Sequence, residues 1–215
     1  MKDSLNRVLS VEAVAEKEWV AGVPRKALFG GLYWKGFKGI SEEEMYELMS
    51  QNLQFRPRTE DLEQDETFKQ ITEYFLVRRD NNFFSSVRKS SGGDTRLYGA
   101  RLIGFGGHIR KGDIVGPMKD WLKREFKEEI VAERIDDISY LGVVNDDFDP
   151  RGVSQVHFGL VFVVDVSGNV SINEKPKFEG GEFFSAEELG ARLDEMESYS
   201  QIIVGNLLQS PLAIS

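Results

Sequence analysis

The sequence predicts an α/β protein: a layered α/β/α domain with a mixed sheet over residues 69–215, preceded by an N-terminal α/β extension over residues 1–68. Three observations predict it. Apolar runs of strand length recur between turn-forming residues, helix-start signals alternate with them, and one helix is inserted between a hairpin-rich stretch and later strands.

In chain order, a first helix is expected over Val11–Glu18, then a strand at Trp19–Pro24 and a Gly-rich aromatic loop at Leu28–Gly39. Ser41-Glu-Glu-Glu44 reads as a capping box, in which the Ser41 hydroxyl accepts from the third amide of the helix and Glu44 reaches back to the cap amide. Ile40 and Met45 flank it as a hydrophobic staple, so a helix should run from Glu42 to about Gln51. Polar Gln54–Thr67, with Pro57, is expected to be an irregular connection. Ile71–Val77 and Phe83–Val87 flank the turn-former Asp80-Asn-Asn82 and predict a hairpin.

A polar loop at Lys89–Thr95 leads to a strand over Leu97–Phe105. Pro117–Val131 is expected to be helical, with Leu122, Phe126 and Ile130 as one apolar stripe and Pro117 at the first helical position. Ile138–Asn145 and Val156–Val166 read as strands, the second apolar enough to be central. Glu182–Phe184 is a short strand entering a second capping box, Ser185-Ala-Glu-Glu188, stapled by Phe184 and Leu189. A last helix is expected from Ser198 to Leu208.

Composition narrows the function. The 215 residues hold 27 Lys+Arg against 36 Asp+Glu, a net charge of −9, with two His and no Cys. Thiolate nucleophiles, disulfides, Cys-ligated metals and three-histidine zinc sites are thereby excluded. Any metal should be held mainly by oxygen, which points to hard divalent cations. The acidic balance argues against bulk nucleic-acid binding. The start has no apolar signal core, and the longest apolar stretch, Gly159–Val164, is far short of the ~20 residues of a membrane helix, so a cytoplasmic protein is expected.

The stretch with most chemical content runs from Gly104 to Glu133, joining a strand, a Gly-rich loop and a helix. Glu125, Glu128 and Glu129, at i, i+3 and i+4, fall on one helical face. Alone, such a pattern describes a solvated acidic face, with Arg124 pairing to Glu128. The Gly106-Gly107 pair changes its meaning, because a backbone without side chains can approach a ligand closely.

Gly107-x5-Asp113-x10-Arg124-Glu125-Phe126-x-Glu128-Glu129 resembles the Nudix box of the Nudix hydrolases, G-x5-E-x7-R-E-U-x-E-E-x-G-U, where U is a bulky aliphatic residue. It departs from that pattern in three places. Asp113 replaces the first Glu, the gap to Arg124 is three residues longer, and Val131-Ala132 replaces G-U. The order of the flanking strands also resembles the family, and the chain is similar to a bacterial branch described as predicted phosphoesterases.

The resemblance implies a Nudix-type α/β/α sandwich that hydrolyses a diphosphate linkage in a nucleoside diphosphate derivative or similar small molecule. It implies Mg²⁺ or Mn²⁺ held by Glu125, Glu128 and Glu129 with the Gly106 carbonyl. The resemblance also implies that Glu125 is a further ligand or base, and that Arg124 orients a carboxylate and restrains the loop, with Asp113 bracing. A further acid is expected outside the box, with Glu179 favoured over Glu174 and Glu182.

Arg88, Arg110, Arg58 and His108 are candidate phosphate contacts, and Trp34, Tyr33 and Phe37 candidate stacking residues. Each has a plainer alternative: surface arginines, a structural loop histidine and aromatic packing. His157 reads most simply as a satisfied core residue. A non-catalytic Nudix-like binding module is the competing function, and the N-terminal segment offers a surface for a homodimer.

Overall fold

The computed structural model describes residues 18–91 and 94–209. The expected helix at Val11–Glu18 lies outside them, apart from its last residue. Ten strands form one mixed sheet: β1 Trp19–Pro24, β2 Lys35–Lys38, β3 Gln54–Pro57, β4 Phe68–Arg79, β5 Asn82–Arg88, β6 Arg101–Leu102, β7 Gly104–Phe105, β8 Ile130–Asp146, β9 His157–Ile172 and β10 Phe178–Phe184. The main path runs β10-β5-β4-β9-β8-β2, with β1 and β7 also paired to β4, β3 to β1, and β6 to β5. Among the described strands, β4 and β9 are the parallel pair, and they set two largely buried runs side by side at the centre.

The helices are α1 Glu42–Asn52, α2 Lys123–Glu129, the single turn α3 Val153–Val156, α4 Ala186–Gly190 and α5 Ser198–Gln209. Alternation along β4 sorts them into layers. Ile71, Phe75 and Val77 join one core with Phe126 of α2 and Met45 and Met49 of α1. Tyr74 and Leu76 join the other with Leu189 of α4 and Ile203 and Leu207 of α5. The result is the expected α/β/α arrangement. Among the described residues, no helix is long and apolar enough to cross a membrane.

Both capping boxes form. Glu44 N donates to Ser41 Oγ at 3.1 Å while Ser41 N donates to Glu44 Oε2 at 2.9 Å, and the Ser185–Glu188 pair repeats this. Ser41→Ala removes one acceptor from an otherwise unpaired helix amide. A loss of about 1 kcal/mol of unfolding free energy is expected, measured by urea denaturation.

Several elements differ from expectation. The region Gln54–Thr67 contains β3, which pairs antiparallel with β1, and Leu28–Gly39 contains β2, which pairs with β8. Leu97–Phe105 breaks into a short 3-10 turn and the two-residue strands β6 and β7. Pro117–Val131 is not one helix. Pro117 stands before a 3-10 turn, Met118–Asp120, and α2 ends at Glu129, so that Ile130 opens β8. Ile130 is buried in the same core as Leu122 and Phe126, so the apolar stripe is real but spans two kinds of element.

That 3-10 turn falls within the longer gap between Asp113 and Arg124. Trp121 packs edge-on against Tyr46 of α1 at 5.6 Å, and Met118 N donates to Glu42 Oε1 at 3.1 Å. The extra residues are thus absorbed as a packed turn seated on α1.

Candidate active site

The site begins at the joint between β7 and the loop after it. Glu73 N donates to Gly107 O at 2.9 Å, which draws the loop against β4. Gly106 has φ +125°, and a Cβ there would lie 2.3 Å from the Glu73 carbonyl oxygen. A Cβ on Gly107 would stand 2.9 Å from the carboxylate carbon of Glu125. The pair is therefore needed for close approach to β4 and to α2, before any ligand is considered.

Arg124 joins the loop to α2. It donates to Asp113 Oδ1 and Oδ2 at 3.0 and 2.7 Å and to the His108 carbonyl at 2.9 Å, and it also pairs with Glu125. Its distance to Glu128 is 3.4 Å. The shorter acid at position 113 thus reaches its arginine despite the longer loop between them. Asp113 also accepts from Arg110 N at 2.8 Å, closing the loop on itself.

The three box glutamates differ in environment. Glu129 is 1% exposed and accepts from Gly106 N at 2.7 Å, Glu125 is 6% exposed, and Glu128 is half-exposed. Burial pushes the Glu129 carboxyl up to about 8, against the Gly106 amide and Arg88, which favour its charge. Burial also raises Glu125, although Arg124 pulls it the other way.

A fourth acid joins them. Glu73, on β4, is 1% exposed, and neither carboxylate oxygen has a hydrogen-bond partner. Burial first, then the charges of Glu125 and Asp113, hold its carboxyl well above the ordinary range. Nothing in the box points to Glu73, yet the sequence carries a signal. Ile71-x-Glu73-x-Phe75-x-Val77 places one acid on an otherwise apolar strand face.

These four carboxylates line a cavity of about 300 Å³ that Arg88, Arg110, Arg58, His108, His157 and Lys177 also reach. Arg88 lies over the Phe178 ring at 4.7 Å, and Arg110 is ion-paired with Glu18. His108 and His157 stand with their Nε2 atoms 3.0 Å apart, and burial lowers the proton affinity of both. The expected acids outside the box lie elsewhere. Glu179 and Glu182 are exposed on β10, where they pair with Val87 and Ser85 of β5, and Glu174 is bound to Lys177 at 2.7 Å. The loop before β10 thus brings a cation, Lys177, to the cavity. Of the aromatic candidates, Trp34 packs edge-on against Phe29 and Phe158 at 5.4 and 6.4 Å, and Phe37 packs against the core that holds α5. Tyr33 lies under the Arg25 guanidinium at 4.5 Å.

A strand–glycine–helix joint with buried carboxylates, inside a mixed-sheet sandwich, defines a class. This chain belongs to the Nudix family: the model of the NUDIX domain matches residues 69–204, more than half of the chain. Among individual proteins, it is 29% identical over 181 residues to Protein YmaB of Bacillus subtilis (strain 168), covering 78% of this chain and 87% of that one. It is similar to the crystal structure of Tm1382, described as a candidate Nudix hydrolase, at 28% identity and a TM-score of 0.72, over 89% of this chain and 99% of that one. DR0079 from Deinococcus radiodurans, 16% identical over 81% of this chain and 97% of that one, shares the fold at a TM-score of 0.50. Family membership supports a hydrolase of the pyrophosphohydrolase type in general.

Proposed function

We propose that the chain hydrolyses a diphosphate linkage in a small organic pyrophosphate, of the nucleoside diphosphate derivative class, with Mg²⁺ or Mn²⁺. The observation that carries this reading is the buried acidic cluster. Glu73, Glu125 and Glu129 are withdrawn from water together, and both oxygens of Glu73 lack a partner. Burying an ion costs several kcal/mol unless a counter-charge is present, and Arg124 is already committed to Asp113 and Glu125. Oxygen donors at this density fit a hard divalent cation.

Glu125, Glu128 and Glu129, with the Gly106 carbonyl, would hold the ion, and Glu73 adds a fifth donor group. Bound there, a cation supplies charge neutralisation to the phosphate oxygens and polarises the attacking water. The chain's own residues do the rest. Arg124 keeps the loop and α2 in register, so that the carboxylates converge before substrate arrives. Arg88 and Lys177 offer cations to phosphate oxygens, and Arg110 and His108 reach the same cavity. Glu125 is also the carboxylate placed to accept the proton of the attacking water.

Release of phosphate or nucleotide from a panel of nucleoside triphosphates, dinucleoside polyphosphates, sugar nucleotides and coenzyme diphosphates tests the reading. Turnover with Mg²⁺ or Mn²⁺ is expected for wild type, and Glu128→Gln should lower it at least ~100-fold. Equal rates in the two proteins would overturn the assignment. Ligand-induced thermal stabilisation without turnover would favour a binding module instead.

A further inference from the structure

The two histidines meet at another wall of the same cavity. His108 is bridged antiparallel to Thr72, and His157 is in register with Gln70, so both share the strand face that alternates with that of Glu73. We propose that Glu63, His108 and His157 form a second metal site, for a borderline divalent transition-metal ion of the Zn²⁺ or Fe²⁺ kind.

Hydrogen bonding settles which atoms face inward. His157 Nδ1 lies 2.6 Å from the Val153 carbonyl oxygen, which can only accept, so Nδ1 carries the proton and a neutral ring presents the lone pair of Nε2. A backbone carbonyl on the remote ring nitrogen is the support that a metal-bound imidazole requires. In the metal-free chain that lone pair accepts from His108 Nε2–H at 3.0 Å, a proton that an ion would displace, with Glu63 Oε2 at 3.9 Å; all three ligand atoms lie within 4.8 Å of one another. Ligand atoms held ~2.0–2.1 Å from one tetrahedral ion stand ~3.3–3.4 Å apart, a spacing that the two measured separations bracket.

The carboxylate is oriented too. Arg58 Nε holds Glu63 Oε1 at 2.9 Å, leaving Oε2 toward the histidines. Arg96 approaches that oxygen only to 3.7 Å and is itself bound by Asp94 at 2.5 Å. Two imidazoles and one carboxylate select Zn²⁺, Fe²⁺ or Mn²⁺ over Mg²⁺. Three protein ligands leave a coordination position open, and both histidines line the cavity, where water or a phosphate oxygen would take it. Composition hid this site, since two histidines fall short of three until Glu63 of the N-terminal segment is brought beside them.

Because the chain has two histidines, its imidazole spectrum holds two spin systems. The untagged full chain, labelled with 15N-histidine and stripped of metal, should be titrated with Zn²⁺ alone. One equivalent is expected to shift both Nε2 resonances together while His157 keeps its Nδ1 proton. Glu128→Gln should leave these shifts intact, and Glu63→Gln should weaken Zn²⁺ binding at least ~10-fold. The proposal fails if the imidazole resonances stay put or only one moves. It also fails if Glu128→Gln removes the shifts, or if Glu63→Gln binds Zn²⁺ as wild type does.

Discussion

Glu129→Gln is expected to lower hydrolysis by on the order of 10³-fold while stabilising the metal-free protein at alkaline pH. The two effects have one cause. Burial raises the Glu129 carboxyl from 4.5 to about 8, so the folded chain keeps a proton that the unfolded chain gives up within that window. A folded state that binds more protons loses stability as pH rises, here by roughly 1.4 kcal/mol per pH unit at the steepest. The cost is absent below about pH 4.5 and complete above about pH 8. A neutral amide has no proton to lose, and its oxygen can still accept from Gly106 N.

Urea denaturation in a chelator should therefore show the two proteins alike at pH 4.5 and the variant ahead at pH 9. Adding Mg²⁺ at pH 9 should raise wild type and leave the variant unmoved if, as proposed, the cation takes the ionised carboxylate of the native state. A variant less stable than wild type at pH 9 without metal would mean that the protein already compensates this charge. Glu73, whose carboxylate has no hydrogen-bond partner, should respond in the same direction.

The second large effect concerns Asp147. Its carboxylate takes the Lys69 ammonium at 2.7 Å, the Trp34 amide at 2.9 Å, the Asn145 side-chain amide at 2.8 Å and the Arg25 guanidinium. Burial works to raise this carboxyl, but Lys69, the Trp34 amide and Arg25 outweigh it and hold it below the ordinary value. Both cations are buried as well, and burial brings the Lys69 ammonium down to about 8.

Asp147→Asn keeps the shape and removes the charge, leaving two buried cations without their shared counter-ion. A loss of about 3–5 kcal/mol is expected in urea denaturation at pH 7. Adding Lys69→Met should restore part of it, since one of the stranded charges then disappears. A single variant within 1 kcal/mol of wild type would show that neighbouring Asp146, paired with Lys35 at 2.9 Å, takes over the role.

Local signals carried much of the fold. Ser41, Ser185 and the Asp80 turn act through residues three or four positions away, and each forms as its sequence predicts. The joint around Gly106 was legible for the same reason, since Glu125 and Glu129 approach the loop within one short segment. What escaped depends on distant partners. β3 is polar and holds Pro57, and it is a strand because β1 offers it an edge. α2 is cut short because Ile130 finds a ladder partner in Ile172. Glu73 and Glu63 each look like one more acid among 36 until the sheet sets them beside Glu129 and His157.

The seating of the 3-10 turn on α1 has a consequence for how this family's domain can be handled. The family match begins at residue 69, and every residue of the box lies beyond that point. Yet the loop between Asp113 and Arg124 rests on Tyr46 and Glu42, and β4 borrows an edge from β1. A fragment trimmed to the matched segment would keep the chemical groups and strip the scaffold that aims them, exposing Trp121 and Met118 to water. The stretch that the family match marks is shorter than the stretch that these contacts tie into one structure.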